Sequence, residues 1–365
     1  MTQYPLGVLA MYLHGKKLEE IDFFRKLSVH GRKLGIHVLV FTPDDVDGDK
    51  VNALYYSMPA RKWKRKLTAI PELVYDRSRY RGAQNLQKIT KFRALHDKIR
   101  YLGRPLTDKW SMYQIMSGES DIAKHLPATV LYSGPEDLLR FLKQHQRIYL
   151  KPHKGTGGRG IVRLQRASDN VYFLQGRDRQ RRIIPAQMIE EKEITEKLNG
   201  WNMEGQYIIQ QGIPLALKNG RVHDFRMLVQ KDGDGRWQIT GCAGRVGPKK
   251  SVTSNLHGGG AAVPMDVLLT ERFEDQSKVE SIKEDAHTLG MKVAQFLEEH
   301  FGSLCELGID LAIDPSGKVW LLEVNPKPSR EVFSRIGEKS TYRTAVTRPL
   351  QYARYLFSRK TETEE

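Results

Sequence analysis

Val319-Trp320-Leu321-Leu322-Glu323-Val324-Asn325-Pro326-Lys327-Pro328 reads as a strand that ends in two oxygen donors and a proline stop. Side chains alternate faces along a strand, so Leu322 and Val324 are expected on one face and Glu323 and Asn325 on the other. A carboxylate beside an amide carbonyl suits a hard cation such as magnesium; a strand with a plain polar outer face would look the same. Just upstream, Gly308-Ile309-Asp310-Leu311-Ala312-Ile313-Asp314 has the pattern of a second strand, and Asp314-Pro315-Ser316-Gly317 has the residues of a turn. A hairpin of the two would set Asp310 beside Glu323, so that Asp310, Glu323 and Asn325 converge on one point.

The remaining sequence must supply whatever that point acts on. At 365 residues the chain is too long for one compact core, which predicts two or three domains. Its 39% hydrophobic and 28% charged residues are ordinary for a water-soluble globular protein. The balance of 59 Lys+Arg against 43 Asp+Glu, a net +16, attracts polyanions without choosing among them. Cys242 and Cys305 lie far apart, with no metal-ligand spacing, which fits a reducing, cytoplasmic setting. The apolar run from Leu6 to Leu13 is too short to span a membrane and lacks a basic leader, so no membrane partner is expected.

Residues 1–105 alternate strand and helix patterns. Leu6–Tyr12 and Ile36–Phe41 read as parallel strands around a helix over Glu20–Leu34, with Val51–Tyr56 and Glu72–Tyr75 as further strands. No glycine fingerprint follows the first strand, which argues against a dinucleotide site. Arg61-Lys62-Trp63-Lys64-Arg65-Lys66 is the densest basic run, either a solvated face or a surface for an acidic partner. One aromatic in it is weak support for nucleic acid, which is disfavoured as a partner.

A second unit, 106–205, opens with Thr107-Asp108, a cap for a helix bearing Lys109. After a strand at Ala128–Tyr132 and a helix at Pro135–His145, Ile148 to Val162 reads as strand, glycine-rich loop, strand. Gly155, Gly157, Gly158 and Gly160 would let backbone N–H groups approach phosphate oxygens, with Lys151 and Lys154 adding charge. A Rossmann fingerprint needs a helix where Ile161-Val162-Arg163-Leu164 reads as a strand, and a P-loop needs a Gly-Lys-Ser/Thr that is absent. A plain surface loop has the same composition. Residues 165–205 are strongly charged and expected at the periphery.

In a third unit, 206–335, Tyr207 to Gln211 reads as a buried strand broken at Gly212-Ile213-Pro214. In the strand Val222–Gln230, Asp224 and Arg226 share a face; phosphate is one reason for that arginine and a structural Asp–Arg pair is another. Trp237–Arg245 follows as a strand. Ser254-Asn255-Leu256-His257-Gly258-Gly259-Gly260 is a second polar loop, in which His257 is a substrate-site candidate. Val279, Ile282, Ala286, Leu289, Val293 and Phe296 recur at helical spacing. Within 336–365, a closing helix over 340–358 would be anchored by Tyr352, Tyr355 and Leu356.

Taken in order, Lys109, Lys151 with its glycine loop, Ile208–Ile213, Asp224-Phe225-Arg226, Ser254-Asn255-Leu256-His257 and Asp310…Glu323-x-Asn325 resemble the ATP-grasp superfamily. Asp-Phe-Arg and Ser-Asn-Leu-His-x-Gly-Gly resemble its glutathione synthetase and ribosomal-protein glutamate ligase branch. The chain as a whole looks most like the endospore coat-associated YheC/YheD family. The resemblance implies an α/β (α+β) class: two α+β subdomains that grip ATP, preceded by a small Rossmann-like domain.

It also implies roles. Lys109, Lys151 and Lys154, with Gly155, Thr156, Gly157, Gly158 and Gly160, would hold the phosphates. Gln210, Gln211, Gly212 and Ile213 would hold adenine. Arg226 and Arg245 would neutralise the γ-phosphate. Asp310, Glu323 and Asn325 would bind magnesium, two ions, with manganese as a second candidate. Asn255 and His257 would face the acyl-phosphate or the acceptor. Two departures touch the substrate side: Thr253 stands where that branch usually has an arginine, with Lys249 and Lys250 close by, and Pro328-Ser329 replaces the Pro-Gly of the glutamate ligases.

The activity so implied is a carboxylate–amine ligase acting through an acyl-phosphate, with an unidentified acid and amine acceptor, an acidic peptide or polymer among the candidates. Such chemistry needs positioning and charge neutralisation more than a protein nucleophile, in keeping with the lack of a Ser/His/Asp or Cys/His constellation. A phosphotransferase and a non-enzymatic spore-coat protein that retains ATP binding are the alternatives. Location in the forespore or coat is implied by the resemblance alone, and an oligomer stays open.

Overall fold

The computed structural model describes residues 4–364 apart from 14, 16, 80, 81, 156, 157, 181, 250, 255, 257 and 258. Apolar alternation at the start of the chain produces β1 (Tyr4–Leu9), the amphipathic α1 (Ile21–Lys33) and β2 (Ile36–Phe41). Then come β3 (Val46–Asp47), β4 (Lys50–Ser57), β5 (Lys62–Ala69), β6 (Leu73–Asp76), α2 (Ala83–Leu95) and β7 (Arg100–Tyr101). They form a seven-stranded sheet in the order β3-β4-β2-β1-β6-β7, with β5 added on β4. β1 pairs in parallel with β2 and β6, the expected βαβ arrangement. The basic run lies in β5, antiparallel to β4 through eight residue pairs from Lys50↔Ala69 to Ser57↔Lys62.

Next come α3 (Lys109–Ser117), α4 (Ser120–Ala123), β8 (Thr129–Leu131), α5 (Pro135–Gln144), β9 (Arg147–Pro152), β10 (Ile161–Ser168), β11 (Val171–Arg177), β12 (Ile183–Glu190), α6 (Glu191–Lys197) and β13 (Tyr207–Gln211). The Asp108 carboxylate accepts from the Trp110 and Ser111 amides and so caps α3. The six strands order as β12-β11-β10-β9-β13-β8. Residues 165–205 are therefore not merely peripheral. They supply β11, β12 and α6, and Tyr172, Leu174, Ile189 and Ile194 are core residues beside Leu150 and Val162. Most of their charged residues are exposed, with Arg177 buried.

The third sheet is built from β14 (His223–Lys231), β15 (Trp237–Val246), β16 (Ala261–Pro264), β17 (Glu306–Ile313) and β18 (Val319–Asn325), ordered β16-β15-β14-β17-β18. α7 (Met265–Arg272) and α8 (Gln276–Phe301) precede β17; α9 (Glu331–Arg335) and α10 (Lys339–Glu364) close the chain. Val279, Ile282, Ala286, Leu289, Val293 and Leu297 of α8 pack against Phe225, Met227, Val229, Ile309 and Leu311 on one sheet face. That leaves Asp224, Arg226, Asp310 and Arg245 on the other face.

α10 serves two cores. Ala345 packs with Leu228, Ala243 and Phe333 of the third unit, whereas Val346, Leu350, Tyr352 and Ala353 join Leu6, Val8 and Phe24 of the first. Tyr352 is buried as expected, with Tyr355 and Leu356 packed half-buried against the same core.

The opening hairpin forms with one difference. Asp310 stands opposite Glu323 and Gly308 opposite Asn325, but Leu311 pairs with Leu321, so Leu322 is an inserted residue, a β-bulge. Val319 and Leu321 before the bulge and Val324 after it all reach one core, while Leu322 is only half-buried. The insertion changes which parity faces inward, and it leaves Glu323 and Asn325 together on the polar face.

Candidate nucleotide and metal site

The site is assembled from four strands of the third sheet, β14, β15, β17 and β18, from β9 and β13 of the second sheet, and from the first turn of α3. Asp224 stands opposite Arg245, and Arg226 opposite Asp310. Directly opposed side chains on one face meet, and that register fixes the ion pairs. Arg245 donates from Nε and Nη2 to the Asp224 carboxylate at 2.7 and 2.6 Å, and its Nη2 lies 3.1 Å from Asp310 Oδ2. Arg226 binds Asp310 through Nε and, at 2.9 Å, through Nη2. A pair between Asp224 and Arg226, the plain reading of Asp-Phe-Arg, does not form; each takes its partner across the sheet. Burial alone would push the Asp310 carboxyl up, but the two guanidinium groups hold it below its ordinary value.

Lys109, in the first turn of α3, reaches across to Glu323, with Nζ 3.3 Å from Oε1, and donates to the carbonyl of Gly155 in the glycine loop. The loop root is tied to the same helix. The Lys109 amide donates to the His153 carbonyl at 3.1 Å, and His153 Nδ1 lies 2.9 Å from Asp108 Oδ1. Asp108, expected only as a helix cap, thus also meets His153, a contact that motif reading passed over because it depends on how α3 docks on β9.

Lys151 projects from β9 on the face shared with Tyr149, and its Nζ donates to Gln210 Oε1 at 2.6 Å; the Gln210 amide in turn donates to Thr129 Oγ1 at 3.1 Å. Burial pushes the Lys151 ammonium down to about 8; Glu323 across the cleft offsets part of that, and Lys109 adds to it. Gln211 ends β13 and Gly212 follows at the break, their amides donating to the carbonyls of Ala128 and Arg147 at 2.8 Å each. Ile213 is buried beside them. In the loop between β9 and β10, Lys154 is exposed, and Gly158 and Gly160 have φ of +71° and +63°. Thr156, Gly157, Asn255 and His257 lie outside the described residues.

Asp310, Glu323 and Asn325 form a set of hard oxygen donors on facing strands, which fits a divalent cation such as magnesium. Among the described residues no group of three His, Cys, Asp or Glu side chains gathers for a metal, so the set needs the Asn325 amide oxygen. Each of its two carboxylates carries a cation: Lys109 lies on Glu323, and Arg226 and Arg245 lie on Asp310.

A family model for YheC/D-like ATP-grasp proteins matches residues 98–356. The chain belongs to the YheC/D-like ATP-grasp family. Its sequence is 30% identical over 353 residues to the endospore coat-associated protein YheC of Bacillus subtilis (strain 168), covering 94% of each. In three dimensions it is similar to the D-cycloserine synthetase DcsG, with a TM-score of 0.55, 14% identity, and coverage of 97% of this chain and 99% of that one. It is also similar to a RiPP-associated ATP-grasp ligase of Chryseobacterium gregarium in complex with ADP and a leader and core peptide, at TM-score 0.51, 13% identity, and coverage of 94% and 96%. The YheC/D-like chain thus has the ATP-grasp fold, and its three sheets are those of the α+β architecture the motifs implied.

Proposed function

We propose that the chain is an ATP-dependent carboxylate–amine ligase. The carboxylate substrate would take the γ-phosphoryl group of ATP to give an acyl-phosphate and ADP. An amine would then attack the acyl carbon, forming the amide and releasing phosphate and a proton. The observation that carries this reading is the cross-matched charge of the cleft. Lys109 lies on Glu323, and Arg226 and Arg245 lie on Asp310, so each carboxylate that would hold a metal carries a cation that would meet phosphate.

The residues then have defined work. Lys109, Lys151 and Lys154 would bind the polyphosphate, with the loop from Gly155 to Gly160 closing over it. Gln210 to Ile213 would hold the base. Arg226 and Arg245 would withdraw negative charge from the transferring phosphoryl group, with Asp224 keeping Arg245 in place. Asp310, Glu323 and Asn325 would hold magnesium, which when bound supplies Lewis-acid neutralisation of the phosphate oxygens. Asn255 and His257 are assigned to the acyl and acceptor side. The ligase relatives support the reaction class, and the similarity to an endospore coat-associated protein supports a place at the spore coat. No helix among the described residues is long and apolar enough to cross a membrane.

The test is a hydroxylamine trap. With ATP, magnesium and a panel of carboxylic acids, including oligoglutamate, a hydroxamate and one equivalent of ADP are expected, both lost in Asp310→Asn. ADP release that tracks a stable phosphate ester would instead identify a phosphotransferase. ATP binding without turnover on any acid would favour a coat protein that keeps the nucleotide as ligand.

A further inference from the structure

β5 is an edge strand: it pairs with β4 along its length, and its outer edge has no neighbour among the described strands. Strand alternation puts Lys62, Lys64 and Lys66 on one face, and all three are exposed. Among the described residues no carboxylate lies within ion-pair distance of any of them. Arg65, which points to the other face, shows the contrast: it pairs with Asp45 at 2.8 Å and donates to the Tyr12 hydroxyl at 2.5 Å.

That second face leads inward. Tyr12 bridges to Leu18 in the loop after β1. From that loop Glu20 holds Arg77 at 2.8 Å and Arg79 at 3.3 Å. Arg79 donates to the Lys327 carbonyl at 3.0 Å, two residues beyond Asn325. These contacts run over the carboxyl ends of β1 and β6, where the strand order reverses, the usual place for a ligand on a parallel sheet.

We propose that β5 is the docking strand for an acidic, extended polypeptide, which adds to its open edge and leads toward the nucleotide site. An added strand has the same two-residue repeat, so every second carboxylate would meet one of the three lysines, while the backbone satisfies the edge N–H and C=O groups. Trp63 lies on the opposite face from the three lysines, packed edge-on against Tyr56 at 5.6 Å, so it is not set among them to stack a nucleobase. The proposal rests on the ligase reading for its purpose, as the acidic chain would be the acceptor or the acid, but the docking itself needs neither ATP nor turnover.

The test is fluorescence anisotropy of a labelled decaglutamate peptide with the full chain, without nucleotide. Saturable binding is expected, weakened at least tenfold in the triple variant K62E/K64E/K66E and clearly in K62Q/K64Q/K66Q, with ATP affinity and thermal midpoint unchanged. A decaglutamate N-methylated at alternate residues is expected to bind at least fivefold more weakly. Unchanged binding by the charge-reversed variant overturns the assignment. So does a DNA or RNA oligonucleotide of equal charge that binds as tightly through the same lysines. Binding that appears only after deletion of Thr361–Glu365 would assign the strip to the chain's own acidic tail and overturn it as well. Failure of the hydroxylamine trap with intact peptide binding removes the ligase reading and leaves the docking surface standing.

Discussion

Burial pushes the Lys151 ammonium from its ordinary 10.5 down to about 8. Below pH 8 the group is charged in both folded and unfolded chains, and the folded chain bears the full desolvation cost. Between about 8 and 10.5 the unfolded chain holds a proton that the folded one has released, so stability of the nucleotide-free protein rises with pH across that window. A polyphosphate beside Nζ would restore the charge. ATP binding at pH 9 is therefore expected to take up protons, up to one per site, and affinity should fall as pH rises above 8. Calorimetry in two buffers of different ionisation enthalpy reads this directly, and Lys151→Arg should abolish the uptake. Arg226 makes a second residue-scale case. If Asp310 is a metal ligand masked by Arg226, then Arg226→Ala should weaken ATP binding about tenfold or more, the worth of a charged hydrogen bond. The same change should tighten binding of manganese alone, read from the spin-resonance signal of the free ion. Lost ATP binding with no gain in manganese affinity would remove Asp310 from the metal set.

At the scale of elements, the β9–β10 hairpin depends on the conformation of its glycine loop. Gly160 has φ +63°, and a Cβ there would lie 2.7 Å from the Tyr207 hydroxyl. Gly160→Ala is expected to cost roughly 1–2 kcal/mol of stability, from the left-handed backbone and the contact together. It should weaken ADP binding as well, and thermal unfolding with an ADP titration checks both. An unchanged midpoint would mean that the loop root is not held as described. The hairpin was legible because glycines between two apolar runs have few other uses, and β17–β18 was legible because Asp314-Pro315-Ser316-Gly317 fixes a turn. The bulge at Leu322 left no mark in the sequence, since a period of two does not show where one residue is inserted. The partner exchange among Asp224, Arg226, Arg245 and Asp310 was also hidden. It follows from which residues stand opposite one another on β14, β15 and β17, and single-strand patterns carry no register. β12 escaped notice because Ile183 and Met188 are exposed, so its apolar residues do not alternate cleanly.

Across the whole molecule, β17 joins the site to the seam between the first and third sheets. Asp310 and Glu306 lie on one face of that strand, roughly 13 Å apart at the usual rise per residue. The buried Glu306 accepts from the Tyr75 hydroxyl at 2.5 Å, Arg77 Nη1 at 2.9 Å and Gln230 Nε2 at 2.8 Å, and it also pairs with Arg330. Tyr75 and Arg77 come from the first unit, so one carboxylate holds groups from two sheets in a water-excluded place. Removing one partner of a buried ionic network strands the others, whereas removing an exposed one costs little. Glu306→Ala would leave Arg77 and Arg330 short of counter-charge and is expected to lower unfolding free energy by roughly 3–5 kcal/mol. Glu323 is one-third exposed, at 34% for its side chain, and Glu323→Gln should cost less than about 1 kcal/mol. Nucleotide binding should reverse the order. Glu323→Gln, at the metal position, should weaken magnesium-dependent ATP binding by tenfold or more. Glu306→Ala, with the partners of Asp310 intact, should change it less than threefold where the protein remains folded. Urea denaturation and ATP titration on the two variants give four values. A Glu306 variant as stable as the parent would show that the two sheets are held together by their other links, the apolar contacts of α10 and the Lys327–Asp76 and Arg79–Lys327 contacts, and loss of ATP binding in step with stability would tie the seam to the site through β17.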